Sequence, residues 1–95
     1  MAHVRLSDEA LACLARLIVT HELPANTAVR VARSLEPLGQ FPNMGRGLGG
    51  RHDGLRYVLG PWRWMLLLYE IAEDDVVLVV SIQDARTAVA PRPAG

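Results

Sequence analysis

Hydrophobic and polar positions follow two different rhythms along this chain, and they divide it into helices and strands. His3 to Leu6 reads as a short strand. Ser7 follows as a helix N-cap, with Asp8 and Glu9 placed at the positive end of the helix dipole. Leu11, Leu14 and Ile18 then recur at helical spacing, with Ala10, Cys13 and Leu17 beside them, which predicts an amphipathic helix over 8–20. Glu22-Leu23-Pro24 breaks it. A second helix is expected over 25–36, with Ala28, Val31, Ala32, Leu35 and Leu38 as its apolar stripe and Arg30 and Arg33 off that stripe. Pro37 and Gly39 end it. The short link between the helices predicts an antiparallel hairpin.

Residues 39–54 form a glycine-rich loop, after which the rhythm changes. Three extended runs follow, Leu55 to Leu59, Trp62 to Ile71 and Val76 to Asp84, separated by Gly60-Pro61 and Glu73-Asp74-Asp75. Connections this short predict an antiparallel meander. The expected architecture is α+β and two-layered: an N-terminal strand and a helical hairpin packed on an antiparallel sheet. One domain spans 1–86, and an Ala/Pro-rich tail, 87–95, is expected to be flexible.

The last two runs are nearly continuously apolar, so both sheet faces carry hydrophobic side chains. Two helices can cover one face only. Trp62, Trp64, Leu66 and Leu68 share one side, and with Leu78 and Val80 they are assigned beneath the helices. The other face then holds Arg56, Val58, Arg63, Met65, Leu67, Tyr69, Val77, Val79, Ser81 and Gln83. An apolar centre with a polar rim is the pattern of a binding surface. A partner chain is expected there, and a second copy forming a homodimer or the returning C-terminal tail is the alternative.

Charge narrows the function classes. Ten basic and ten acidic side chains give a net charge of zero, which does not suit a domain held to nucleic acid mainly by phosphate contacts. The hydrophobic fraction of 51% excludes disorder over most of the length. The lone Cys13 excludes an internal disulfide, and His3, His21 and His52 are too scattered for a metal site, so neither metal nor cofactor is expected. The N-terminus lacks the apolar stretch of a signal peptide and no run is long enough to span a membrane, so a cytoplasmic location is expected. Gly45 to Gly50 matches G-x-G-x-x-G, but it follows a helix and precedes a strand, the reverse of the dinucleotide-binding context. Arg56, Arg63 and Arg86 could together hold a phosphate or an oxyanion, or pair with Asp84, Glu70 or a partner's carboxylates.

An ordered set of short segments carries a resemblance. Phe41-Pro42-Asn43-Met44-Gly45-Arg46, Gly54-Leu55-Arg56, Gly60-Pro61-Trp62-Arg63, Tyr69-Glu70-Ile71, Asp75-Val76-Val77 and Asp84-Ala85-Arg86, in this order between Val4 and Arg86, resemble the RelE/ParE toxins of bacterial type II toxin–antitoxin systems. The resemblance implies a helical hairpin on an antiparallel sheet and a cognate antitoxin that wraps and silences the chain. It also implies one of two activities: inhibition of DNA gyrase, or cleavage of mRNA on the ribosome. For the nuclease, the matching basic positions are Arg56, Arg63 and Arg86, with His52 as a proton carrier from the loop. No Tyr or His follows Arg86, Arg63 lies farther from Tyr69 than the nuclease pattern has it, and the net charge is zero. Gyrase inhibition is therefore the expected activity. Ribosome-dependent mRNA cleavage and a non-toxic binding module of the same fold are the alternatives.

Overall fold

Ser7 starts the first helix as the sequence predicts: its hydroxyl accepts the Ala10 N–H at 3.1 Å. A computed structural model describes residues 2–50, 54–72 and 75–86. The elements run β1 (His3–Leu6), α1 (Asp8–Thr20), α2 (Thr27–Leu35), a 3-10 turn (Glu36–Gly39), β2 (Arg46–Gly47), β3 (Arg56–Leu59), β4 (Met65–Ala72) and β5 (Val76–Asp84). Helix α2 begins two residues later than expected, where the Thr27 hydroxyl donates to the Pro24 carbonyl. Strand β2 was not legible: its two residues lie in the glycine loop, too few to show a period.

The sheet order is β1-β5-β4-β3-β2. Strands β2 to β5 pair antiparallel, the expected meander with one short strand added. β1 pairs with β5 in parallel, so the sheet is mixed rather than wholly antiparallel. The helical hairpin leaves the end of β1 and packs on one face, giving the two-layer α+β architecture. Among the described residues no helix is long and apolar enough to cross a membrane.

The sheet faces are inverted relative to the expectation. Met65, Leu67, Tyr69, Val77 and Val79 are fully buried beneath the helices, in one cluster with Ala10, Cys13, Leu14, Val31, Leu35 and Leu38. Val58 packs half-buried against the same cluster. Ser81 and Gln83 are also half-buried, and the Ser81 hydroxyl lies 3.8 Å from the Cys13 thiol of α1. The proposed open face is thus covered by the chain's own helices, and its apolar residues are not available to a homodimer or a partner. Leu11, expected in the buried stripe of α1, is half exposed, and Ala28 and Ala32 are exposed on α2.

Two local features explain the inversion. Trp62 and Trp64 precede β4 in a turn, so their side chains do not share the alternation of Leu66 and Leu68. Both tryptophans pack against the helix-side cluster. In β5 the register shifts at the Leu68/Tyr69 step, where Tyr69 pairs with Val79 and Leu68 with Ser81. This bulge skips Val80, so the buried set changes from Val77 and Val79 to Ile82 and Asp84.

The centre of the outer face is covered from within the chain. Leu48 of the glycine loop and Leu55, just after it, close over Tyr57, Leu66 and Leu68, with Val80 beside them. The Leu48 N–H donates to the Leu55 carbonyl at 3.0 Å and holds the cover in place. The expected tail, 87–95, and His52 lie outside the described residues.

Candidate functional site

The bulge in β5 has a chemical consequence, because it turns Asp84 toward the helices. The carboxylate is buried and, among the described residues, accepts hydrogen bonds from Arg86 and His21. Arg86 donates its backbone N–H to Oδ1 at 2.8 Å, Nε to Oδ1 at 3.0 Å and Nη2 to Oδ2 at 2.9 Å. His21, at the C-cap of α1, brings Nε2 to 2.9 Å from Oδ2. Hydrogen bonding from Arg86 is the largest cause holding the Asp84 carboxyl far below the ordinary carboxylate range. Burial opposes this, and the His21 bond reinforces it. An ionised carboxylate only accepts, so His21 carries a proton on Nε2. In the neutral ring Nδ1 then accepts the Thr20 hydroxyl, 2.8 Å away.

Aromatic rings extend this network into a ladder. His21 stacks on Trp64 with ring centres 4.8 Å apart, and the Arg86 guanidinium lies 4.8 Å from the Trp64 centroid. Trp64 stacks on Trp62 at 5.9 Å, and Arg30 of α2 lies 4.5 Å from the Trp62 ring. Cation–π attraction is strongest for tryptophan, which favours this alternation of rings and guanidinium groups. The ladder joins the end of α1, the middle of α2, the turn before β4 and the end of β5. It presents half-exposed aromatic surface and positive charge, a surface suited to docking.

The residues expected at the site separate into different roles. Arg56 donates to the carbonyls of Gly45 at 2.9 Å and Asn43 at 3.3 Å. The Tyr69 hydroxyl donates to the Pro42 carbonyl at 2.7 Å and accepts the Gly45 N–H at 2.9 Å. Burial is the main cause raising the Tyr69 phenol above its ordinary value. The two side chains therefore pin the loop 42–45. A Cβ on Gly45 would lie 2.5 Å from the Tyr69 hydroxyl oxygen and 2.7 Å from the Tyr57 carbonyl, so the close approach requires glycine. Arg63 is exposed next to Trp64. The three arginines do not converge: Arg56 lies at the Tyr69 end of the β3–β4 pair, and Arg86 lies at the Met65 end. His52 falls outside the described residues. Of the sequence alternatives for Arg86, pairing with Asp84 is the one the structure contains.

His21, Trp62 and Arg30 were not singled out as site residues. Their sequence separation hides them, since the ladder forms only when the α1–α2 connection and the two strand ends meet. The available signal was Trp62-Arg63-Trp64 close to Gly60-Pro61, two large aromatics in a turn.

Neither a family model nor a curated protein sequence matches the chain. Solved structures do match. The chain has the RelE/ParE toxin fold. It is similar to a chain of the structure of the chromosomal ParDE TA system from P. aeruginosa, with a TM-score of 0.70 and 14% identity over 90% of this chain and 98% of that one. It is also similar to the conserved hypothetical protein HP0894 from Helicobacter pylori, with a TM-score of 0.61 and 20% identity over 88% of this chain and 94% of that one.

Proposed function

We propose that this chain is the toxin of a type II toxin–antitoxin pair, silenced by a cognate antitoxin, and that it arrests growth by inhibiting DNA gyrase. The fold supports the toxin reading, since it is shared across 90% of the chain with the ParDE TA system structure. The occupied state of the candidate proton-transfer groups supports gyrase over RNA cleavage. Cleavage needs a donor and an acceptor of protons within reach of the 2′-OH and the leaving oxygen. Tyr69 is buried with its hydroxyl bonded to the loop, Arg56 holds the same loop, and Arg86 is paired with Asp84. Arg63 is exposed but keeps its proton at any physiological pH.

Induction of the chain in a bacterium should arrest growth, and co-expression of its antitoxin should relieve the arrest. The purified chain should inhibit supercoiling by gyrase and leave ribosome-bound mRNA intact. Codon-positioned cuts that vanish in Arg63→Ala or His52→Ala would move the chain to the nuclease activity. Unaffected growth would remove the toxin reading.

A further inference from the structure

The aromatic ladder carries more hydrogen-bond donors than the chain uses. Neither the Trp62 nor the Trp64 indole N–H has a hydrogen-bond partner among the described residues. No side-chain nitrogen among them is buried without one, so both indole N–H groups reach solvent. Arg86 spends Nε and Nη2 on Asp84 and keeps Nη1. Arg30 lies over the Trp62 ring, and stacking on a ring leaves the in-plane N–H groups of a guanidinium unspent. Arg63, between the two tryptophans in sequence, is exposed. No ion pair reaches Arg30 or Arg63 among the described residues.

These groups select the chemistry of a partner. An indole N–H and a guanidinium donate and cannot accept, and the edge of an aromatic ring carries the positive end of its quadrupole. Asp84 is buried and its charge is balanced by Arg86. The surplus positive charge therefore rests on Arg30 and Arg63, in a chain whose net charge is zero. The ring contacts are already made within the chain: Trp62 stacks on Trp64 and meets Arg30, and Trp64 stacks on Trp62 and His21 and meets Arg86. A single-stranded nucleic acid, which binds by stacking its bases on aromatic rings, fits such a ladder poorly. A second copy also fits poorly, because a two-fold contact through the ladder would set arginine against arginine. Carboxylates fit, since each can take two guanidinium N–H groups at once.

We propose that the Trp62–Trp64 ladder is the surface by which this chain docks on its target protein, and that it takes an acidic segment. The segment's carboxylates pair with Arg30 and Arg63 and accept from the indole N–H groups. Tryptophan and arginine are also the residue types that carry most of the binding energy at protein interfaces. Assigning the segment to gyrase rests on the proposed function, whereas the donor surface and its chemistry do not.

Both tryptophans of the chain belong to the ladder, so intrinsic tryptophan fluorescence reads this surface alone. Titrating the purified full chain with a synthetic hexaglutamate peptide should change the emission, and a hexalysine peptide should not. Arg30→Gln should weaken hexaglutamate about fivefold, and Trp62→Phe, which keeps a stacked ring and removes the N–H, about threefold. Arg46→Gln, on the edge strand β2, should change the affinity by less than about twofold. The thermal transition of each variant checks that it is folded. Equal responses to the two peptides would overturn the proposal, as would an equal loss in Arg46→Gln or tighter binding of a single-stranded DNA oligonucleotide than of hexaglutamate. In a supercoiling assay with purified gyrase, Arg30→Gln should raise the half-inhibiting concentration about fivefold. Undiminished inhibition by Arg30→Gln would remove the ladder and leave the gyrase reading. Hexaglutamate binding without gyrase inhibition by the unaltered chain would do the reverse.

Discussion

The two ends of β4 each carry a polar knot built around an arginine, and the two knots do opposite work. At the Tyr69 end, Arg56 and the Tyr69 hydroxyl bind backbone carbonyls of the loop 42–45. At the Met65 end, Arg86 binds the carboxylate of Asp84 and lies over Trp64. The first knot closes inward, with Tyr69 completely buried, and positions a loop. The second opens outward, with 60% of the Arg86 side chain exposed, and leaves cationic and aromatic surface available. An arginine in a candidate site therefore cannot be assigned a role by residue type. Its role depends on whether its acceptors are backbone groups of its own chain or the rim of an accessible surface.

Leu67 lies between the two knots on β4 and is completely buried. Leu67→Asp should break both, because it places an unpaired carboxylate in the core. The expected loss is more than about 4 kcal/mol, and urea unfolding should find the variant largely unfolded. A cooperatively folded Leu67→Asp chain with only its partner binding impaired would restore the original face assignment.

Tyr69→Phe isolates the inward knot. It leaves the Pro42 carbonyl and the Gly45 N–H without their partner, at a cost of about 2–3 kcal/mol by chemical denaturation. Asp84→Asn isolates the outward knot and should cost less, about 1 kcal/mol at neutral pH, because its principal partner is solvent-screened.

The acid side of the stability profile sharpens the contrast. The folded Asp84 carboxyl titrates far below 3.8, its ordinary value, so its stabilisation is present above 3.8 and is lost as the pH falls from there toward the folded value. The thermal midpoint should therefore fall on acidification below about pH 4, and less steeply in Asp84→Asn than in the unaltered chain. The smallest effect is expected at Arg63, which is exposed: Arg63→Ala should change stability by no more than about 0.5 kcal/mol.

The local chemistry of the chain was legible without a structure. Ser7 marked the first helix, the bounds of α1 and β5 followed from their patterns, and the meander followed from the short connections. The ordered segments between Phe41 and Arg86 pointed to the fold that the solved structures share. Which face of the sheet the helices cover was not legible. Residues 65–69 are all buried, so their hydrophobicity carries no parity. The assignment then depended on Trp62 and Trp64, which lie in a turn outside the strand's alternation.

Sequence by itself determined the elements, their order and the excess of apolar surface on the sheet, because these depend on capping, periodicity and composition within short stretches. Tertiary structure decided the rest. One bulge residue set the direction of Asp84, the glycine loop rather than a partner covered Leu66 and Leu68, and four separate segments met to form the ladder. The physical reason is range: hydrogen bonding and ring stacking join residues up to 73 positions apart, as in Ser7 and Val80, and no local pattern encodes such contacts.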